Sequence, residues 1–451
     1  MRITFIGQIN SIHFWRRTNW YASRGHDVQI LSYAWPETPH YERSVDVKTF
    51  PFEPRQKDPL RTLQWMKDCI TGFGPDILHV HKCDFPGVFG LFIDFEPMVF
   101  TLWDGIYVRD PRLSFAEKEL IRLAGLKSEL FTCNSPGLLE ETIQAGIKRE
   151  KAILTSWGVS SQIFNREVAK NEDQISRVRQ EYGLSDGDKI VFSPRALTHF
   201  SNIDIVMQAV DGVIDACPHP VKFLLASHVV THDGAYAIGH LLKRIRNKDS
   251  IIWCGHIKNE RQLAAHYQLS DVVVSLYSGY LESSPASIIE AMLCGAIPIC
   301  ADLPVLDFWI EAGKNGFTVG ARDVEGLVKS ILAALHMGEN EDVLDYNHRK
   351  VKRQAHFEKT MTSMEERYAR TVSEVPSHYR EKGTYDRFRE LGLLLDVFHN
   401  YDDALQFYRL AAKEQDTEEI QANIRHVLRR IKGIVPHVHP AASEHFKNGC
   451  D

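Results

Sequence analysis

No apolar run in the 451 residues approaches the roughly 20 that a membrane-spanning helix needs. The opening Met1-Arg2-Ile3-Thr4-Phe5-Ile6-Gly7 reads as a strand rather than a signal peptide, so a cytoplasmic protein, at most peripheral to a membrane, is expected. The eight cysteines are scattered with no C-x-x-C pair, and Cys254, Cys294 and Cys300 stand in apolar contexts, which indicates neither zinc nor a disulfide framework. Histidines are numerous, but none has metal-ligand spacing, including His79 and His81 alternating on a strand. Positive charge is not in excess either: the formal net charge of -6 argues against a nucleic-acid surface as the main role. The G-x-G-x-x-G fingerprint is missing, which argues against an ordinary dinucleotide dehydrogenase. One D-x-D match, Asp186-Gly187-Asp188, falls between helical Gln180-Glu181-Tyr182 and a strand beginning at Lys189, in good turn chemistry, and is read as a turn. No metal and no cofactor are therefore expected.

A hydrophobic content of 44% over this length supports two or three soluble domains with substantial cores. The first third alternates apolar strands (2–6, 28–32, 77–80, 99–102, 130–133) with helical segments, the pattern of a parallel sheet covered on both faces. A helix from about His13 to Ser23 should stop at a left-handed Gly25. A second series (189–195, 221–227, 251–255, 272–276, 296–300) repeats the pattern. Gly7 to His13 fill the first strand-to-helix turn, where such sheets bind ligands, and Gly7 lets the backbone come close to a sugar or phosphate. In Phe14-Trp15-Arg16-Arg17-Thr18-Asn19-Trp20, two Trp and two Arg offer contact with an anionic lipid surface, but packing of the indoles inside is the stronger expectation.

The segment Leu281 to Pro298 carries two carboxylates eight positions apart. Glu282 sits in a small-residue turn after the strand Asp271 to Leu276, and Glu290 lies in the helix that follows. Ser283, Ser284, Pro285, Ala286 and Ser287 keep the turn narrow, so that amides at the helix start can approach a diphosphate. Glu282 then reaches a sugar ring, and Glu290 accepts hydrogen bonds from a pair of ribose hydroxyls.

This segment resembles the E-x7-E signature of retaining glycosyltransferases of family 4. Glu290-Ala291-Met292-Leu293-Cys294-Gly295-Ala296-Ile297-Pro298 is similar to the family's "EAMACGxPV" run, and Glu311-Ala312-Gly313-Lys314-Asn315-Gly316-Phe317 to its "xDGxNGxL" turn. Ser11-Ile12-His13 and Arg24-Gly25-His26-Asp27-Val28 resemble the first loop and "RGHEV", and Ser156-Trp157-Gly158-Val159 through Phe164 resembles the linker "NGVDxxxF". Arg195 matches the strand-end arginine that meets both phosphates of a nucleotide sugar. The usual lysine about five positions later is missing; His199 or further amides are expected to compensate. Phe100-Thr101-Leu102-Trp103-Asp104 resembles "TxHD" with Trp103 in the histidine position, and Asp104 either holds hydroxyls or caps the next turn.

The resemblance covers roughly residues 1–370 and implies an α/β GT-B fold, two facing Rossmann-like domains with a central cleft. It divides the chain into an acceptor-side domain (1–165), a donor-side domain (166–350), a crossover helix (351–375) and a helical extension (376–451). It implies retaining, metal-independent transfer from a nucleotide-diphosphate sugar, most plausibly a UDP-sugar, to a hydroxyl of a glycan, a lipid-linked glycan or a small molecule. Glu282, Arg195 and Asp104 are the implied catalytic residues; Gly7, Arg195, His199, Ser283 to Ser287 and Glu290 hold the donor; Ser11, His13 and Trp103 face the acceptor. An epimerase or phosphorylase on the same fold, or a non-catalytic binding protein using the tail, stays open. In the tail, Phe388, Leu391, Gly392, Leu395, Tyr401, Ala404, Tyr408 and Ala411 resemble one tetratricopeptide repeat, and Thr417 to Lys432 a capping helix. One repeat cannot bury its own apolar face, so it should dock on the enzyme, on a second copy or on a protein partner.

Overall fold

A strand buried on both faces must be apolar at nearly every position, and the chain meets this demand in two places. The computed structural model describes residues 1–9, 11–33, 44–50, 58–82, 85–103, 105, 108, 110–111, 113–156, 158–166, 172–195, 201–226, 238–257, 259–277 and 286–433. It divides into two compact units: residues 1–134, 138–155 and 361 onward, and residues 135–137 and 156–360.

Unit 1 contains β1 (Arg2–Ile6), β2 (Asp27–Ser32), β3 (Val45–Thr49), β4 (Ile77–His81), the short β5 (Phe95–Glu96), β6 (Met98–Leu102), β7 (Leu130–Cys133) and β8 (Ala152–Leu154). The seven-stranded sheet has the order β3-β2-β1-β4-β6-β7-β8, with every pairing parallel. β4 and β6 are buried at all positions, as helices on both faces require. Local chemistry sets the helix ends. Asp58 caps Pro59–Phe73 by accepting from Arg61 N at 2.9 Å, Ser114 and Glu117 form a capping box on Phe115–Lys127, and the first helix, Ile12–Ser23, is followed by Gly25 at φ +81°. Within that first helix Phe14 and Arg17 are buried, while Trp15 and Trp20 are half-buried.

The C-terminal helices Thr384–Val397, Tyr401–Glu414 and Glu418–Ile431 belong to unit 1. Gly392 allows the first two to cross closely, since a Cβ there would lie 2.6 Å from the Tyr408 ring. Leu393, Leu394, Val397 and Phe398 enter the same apolar core as Phe89, Phe100 and Phe131, with Phe398 stacked on Phe89 at 4.9 Å. The apolar face that seeks a partner in the sequence thus covers unit 1 itself. A buried ionic cluster ties this contact down. Lys127 Nζ donates to Leu91 O (2.6 Å), Asp94 (2.7 Å) and Glu390 (2.6 Å), and Lys382 pairs with the same two carboxylates. Lys127 and Lys382 face Asp94 and Glu390, with Lys67 Nζ also 3.8 Å from Asp94, and removing one of the buried partners would strand the others in the core. β15 (His378–Tyr379) pairs antiparallel with β5 beside this cluster.

Unit 2 contains β9 (Lys189–Ser193), β10 (Val221–Ala226), β11 (Ile251–Gly255), β12 (Val272–Ser275), β13 (Ile297–Ala301) and β14 (Phe317–Val319), in the parallel order β11-β10-β9-β12-β13-β14. Alternation along β9 serves both faces. Val191 packs in one core with Val206, Val210 and Ile331, whereas Ile190 and Phe192 pack in the other with Ile289, Met292 and Trp309. Asp186-Gly187-Asp188 forms a turn in which the Asp188 carboxylate accepts from Ser185 N at 2.7 Å. Among the described residues no helix is long and apolar enough to cross a membrane.

Two predictions follow from the tail. Phe398→Ala should cost about 3–5 kcal/mol, and truncation after residue 376 should give an insoluble chain; a soluble truncated protein with native near-UV circular dichroism contradicts this packing. The second concerns Asp396, which burial pushes up to about 7 against the pull of Arg430 and Tyr408, with Glu117 adding to the rise. Its folded value lies above the unfolded one of about 3.9, so the stability it contributes is complete below about pH 4 and is lost as pH rises towards 7. His426, 3.7 Å away and lowered to about 4 by burial and two arginines, acts in the opposite sense as pH falls. The two groups lie close enough to couple, so thermal melts of wild type and Asp396→Asn are repeated in a His426→Gln background to isolate Asp396. The variant should gain relative to wild type between pH 5 and pH 8, and equal slopes would refute this assignment.

Candidate active site

In a parallel sheet the strand order reverses where successive crossovers leave in opposite directions, and the carboxyl ends of the strands flanking that reversal open a crevice. In unit 2 the reversal lies between β9 and β12. Arg195 follows β9 by two residues and Tyr277 follows β12 by two, and the guanidinium carbon of Arg195 lies 4.3 Å over the Tyr277 ring. From the end of β12, Ser275 Oγ hydrogen-bonds Ser287 Oγ at 2.8 Å, which ties the first turn of the helix Ala286–Cys294 to the strand. Ala286 and Ser287 are half-buried at that helix start, where backbone amides lack partners within the helix.

Glu290 is 4% exposed in this helix and is not a surface charge. The fully buried phenol of Tyr267, on the helix Glu260–Leu269, faces it. Burial raises the Tyr267 phenol well above its ordinary value, the Glu290 carboxylate adds to the rise, and Arg195 pulls the other way. One phenol therefore senses both charged residues that the sequence assigns to the donor. The Tyr267 ring is fixed by Phe164 (6.0 Å) and Phe192 (5.5 Å). Cys294, one turn beyond Glu290, is raised first by burial and then by the same carboxylate. Asp104, His199, Glu282, Ser283, Ser284 and Pro285 lie outside the described residues.

In unit 1 the reversal lies between β1 and β4, and four of the sequence candidates gather near it. Gly7 follows β1; a Cβ there would stand 2.5 Å from the Phe14 ring and 3.1 Å from His81 Cβ, so internal packing also demands this glycine. Ser11 precedes the first helix without a side-chain cap bond. His13 is lowered to about 3 by burial and then by Arg16, Arg17 and Lys82, which leaves it neutral in a positive environment. Its ring meets Trp103 edge-on at 6.3 Å. Trp103 is buried, with Nε1 donating to His81 Nδ1 at 2.8 Å, its carbonyl accepting from Asn134 Nδ2 at 2.7 Å, and Lys82 Nζ 5.4 Å over its ring. An indole N–H only donates, so the His81 proton sits on Nε2.

Sequence reasoning missed Tyr267, Tyr277 and Lys82. Tyr277 had a signal, since it occupies the same place after β12 that Arg195 occupies after β9. Lys82 holds a left-handed φ of 65° that no residue pattern announces.

Known proteins share this fold. Residues 174–351 match the family model of glycosyl transferases group 1, and residues 11–162 that of glycosyltransferase family 4. Alpha-monoglucosyldiacylglycerol synthase of Streptococcus pneumoniae is 25% identical over 199 residues, a match covering 43% of this chain and 42% of that protein, so the chain aligns with less than half of its curated relative. Two solved structures show the same fold. HepE of Anabaena in complex with UDP superposes with a TM-score of 0.66 at 16% identity, covering 82% of this chain and all (100%) of that one. Sucrose-phosphate synthase of Thermosynechococcus elongatus does so with a TM-score of 0.66 at 15% identity, covering 83% and 99%. With residues 11–162 and 174–351 matched to two glycosyltransferase family models and the GT-B fold around them, the chain carries the paired domains of glycosyltransferases of the family 4 type.

Proposed function

We propose that this protein is a retaining, metal-independent glycosyltransferase that moves a sugar from a UDP-sugar to a hydroxyl of a glycan, a lipid-linked glycan or a small molecule. The observation that carries the reading is the placing of Arg195 just after β9 and of a buried Glu290 in the helix that follows β12, the two strands that flank the reversal. The Tyr267 phenol hydrogen-bonds the Glu290 carboxylate, and a carboxylate with two acceptor oxygens also suits a pair of ribose hydroxyls. Arg195 and the amides at the start of Ala286–Cys294 meet the diphosphate and stabilise the charge that grows as the bond from C1 of the sugar to the phosphate oxygen breaks. The acceptor oxygen bonds to C1 and its proton leaves with the diphosphate. Positioning and electrostatics supply most of the acceleration, with Glu282 on the transferred sugar, His199 supporting the phosphates and Asp104 on hydroxyl groups. Ser11, His13 and Trp103 belong to the acceptor side in unit 1. The UDP bound to the structurally similar HepE supports uridine as the base. A cytoplasmic location and a tetratricopeptide-like helix pair at 384–414 complete the proposal.

Glu290→Ala should weaken UDP binding about tenfold or more, the effect of removing one buried partner, while Glu282→Ala should chiefly lower kcat. Calorimetry and initial rates with UDP-sugars check both, and wild-type behaviour of the two variants would end the assignment. Turnover should persist in excess EDTA, and the product should keep the donor's anomeric configuration by NMR. A strict need for added Mn²⁺, or an inverted product, contradicts the reading.

A further inference from the structure

We propose that Tyr277 is a positioning residue that presents Arg195 to the donor diphosphate; the proposal rests on the reading of Arg195 as the phosphate-binding cation. The guanidinium carbon lies 4.3 Å over the Tyr277 ring, and both residues are half-buried at the carboxyl ends of the two strands that flank the reversal. Arg195 stands two residues beyond β9, and its placement bears on how much positive charge a diphosphate meets there. An arginine on a strand end has a long, rotatable stem, and binding pays for whatever order the free protein lacks.

An aromatic ring orders a guanidinium in a way that a carboxylate does not. A ring over the guanidinium restricts its rotation without cancelling its charge. The ring has a firm base: Tyr277 continues β12, whose last residue is tied through Ser275 Oγ to Ser287 Oγ at 2.8 Å on the anion-facing helix. Tyr277 thus joins the cation to a strand end that is itself tied to the helix Ala286–Cys294.

Calorimetric titration of the full-length protein with UDP and UMP, at one ionic strength, tests this. Tyr277→Leu should lower the UDP affinity about tenfold, within the usual range for a partly desolvated cation–π contact, and should lower the ratio of UDP to UMP affinity. Tyr277→Phe, which keeps the ring, should stay within about twofold of wild type. In an Arg195→Ala background, Tyr277→Leu should add nothing, because its effect passes through the guanidinium. Should Tyr277→Leu fail to fold, Tyr277→Ser takes its place, with melting temperatures recorded for each variant. Equal UDP affinity in Tyr277→Leu and Tyr277→Phe, an equal loss for UDP and UMP, or a loss that adds to that of Arg195→Ala would overturn the proposal. Undiminished UDP affinity in Arg195→Ala would instead overturn the phosphate reading of Arg195, an outcome separate from the behaviour of Tyr277.

Discussion

The reversal of strand order, between β9 and β12 in one unit and between β1 and β4 in the other, is the constraint on which the site depends. A parallel sheet needs a crossover for every strand, and each crossover covers one face. Where two crossovers part, nothing covers the strand ends, and whatever side chains stand there face a crevice. Arg195, Tyr277 and the helix of Glu290 share a place because they follow the two strands at that point. Residues such as Val191 and Val274, a few positions earlier on the same strands, fill the core.

The second requirement is a rigid carboxylate. A glutamate held inside a helix whose residues from Ile288 to Cys294 are all buried has few ways to move, and Tyr267, wedged between Phe164 and Phe192, limits it further. The cost of burying this charge is borne by packing spread over two cores, one on each face of the unit 2 sheet. Unit 1 treats its polar residues differently. His79 and His81 are held neutral by burial, with His79 bonded through Nε2 to Thr101 Oγ1 at 2.6 Å and through Nδ1 to Tyr368, so that the polar groups along β4 carry no charge. The C-terminal helices then close unit 1 with aromatic stacking and an ionic cluster.

Much of this was legible in the sequence. Apolar runs such as Ile77 to Val80 and Val272 to Leu276 announce buried parallel strands, and Gly25 announces a helix stop. Glu290 stood out because a carboxylate in an apolar helix beside a small-residue turn is chemically conspicuous. Short edge strands did not stand out: Val45–Thr49 is only half-buried, and Ala152–Leu154 and Phe317–Val319 have three residues each, too few for a period. Tyr267 and Tyr277 reach the site through tertiary packing, which spacing along the chain does not encode. Lys127 and Glu390 look like solvated charges on amphipathic helices until the fold buries them together. The tail shows the same limit from the apolar side, since a hydrophobic face in a helix pair says that something is covered but not what.

The central claim is that unit 2 holds the nucleotide sugar at the ends of β9 and β12, and hydrogen–deuterium exchange on the intact protein with and without saturating UDP tests it most directly. The account predicts slowed exchange in the first turn of the helix Ala286–Cys294 and in the backbone just after Ser193, with the segments after β1 and β4 unchanged. Protection confined to the β1 and β4 ends of unit 1, or none in either unit at saturation, would contradict it.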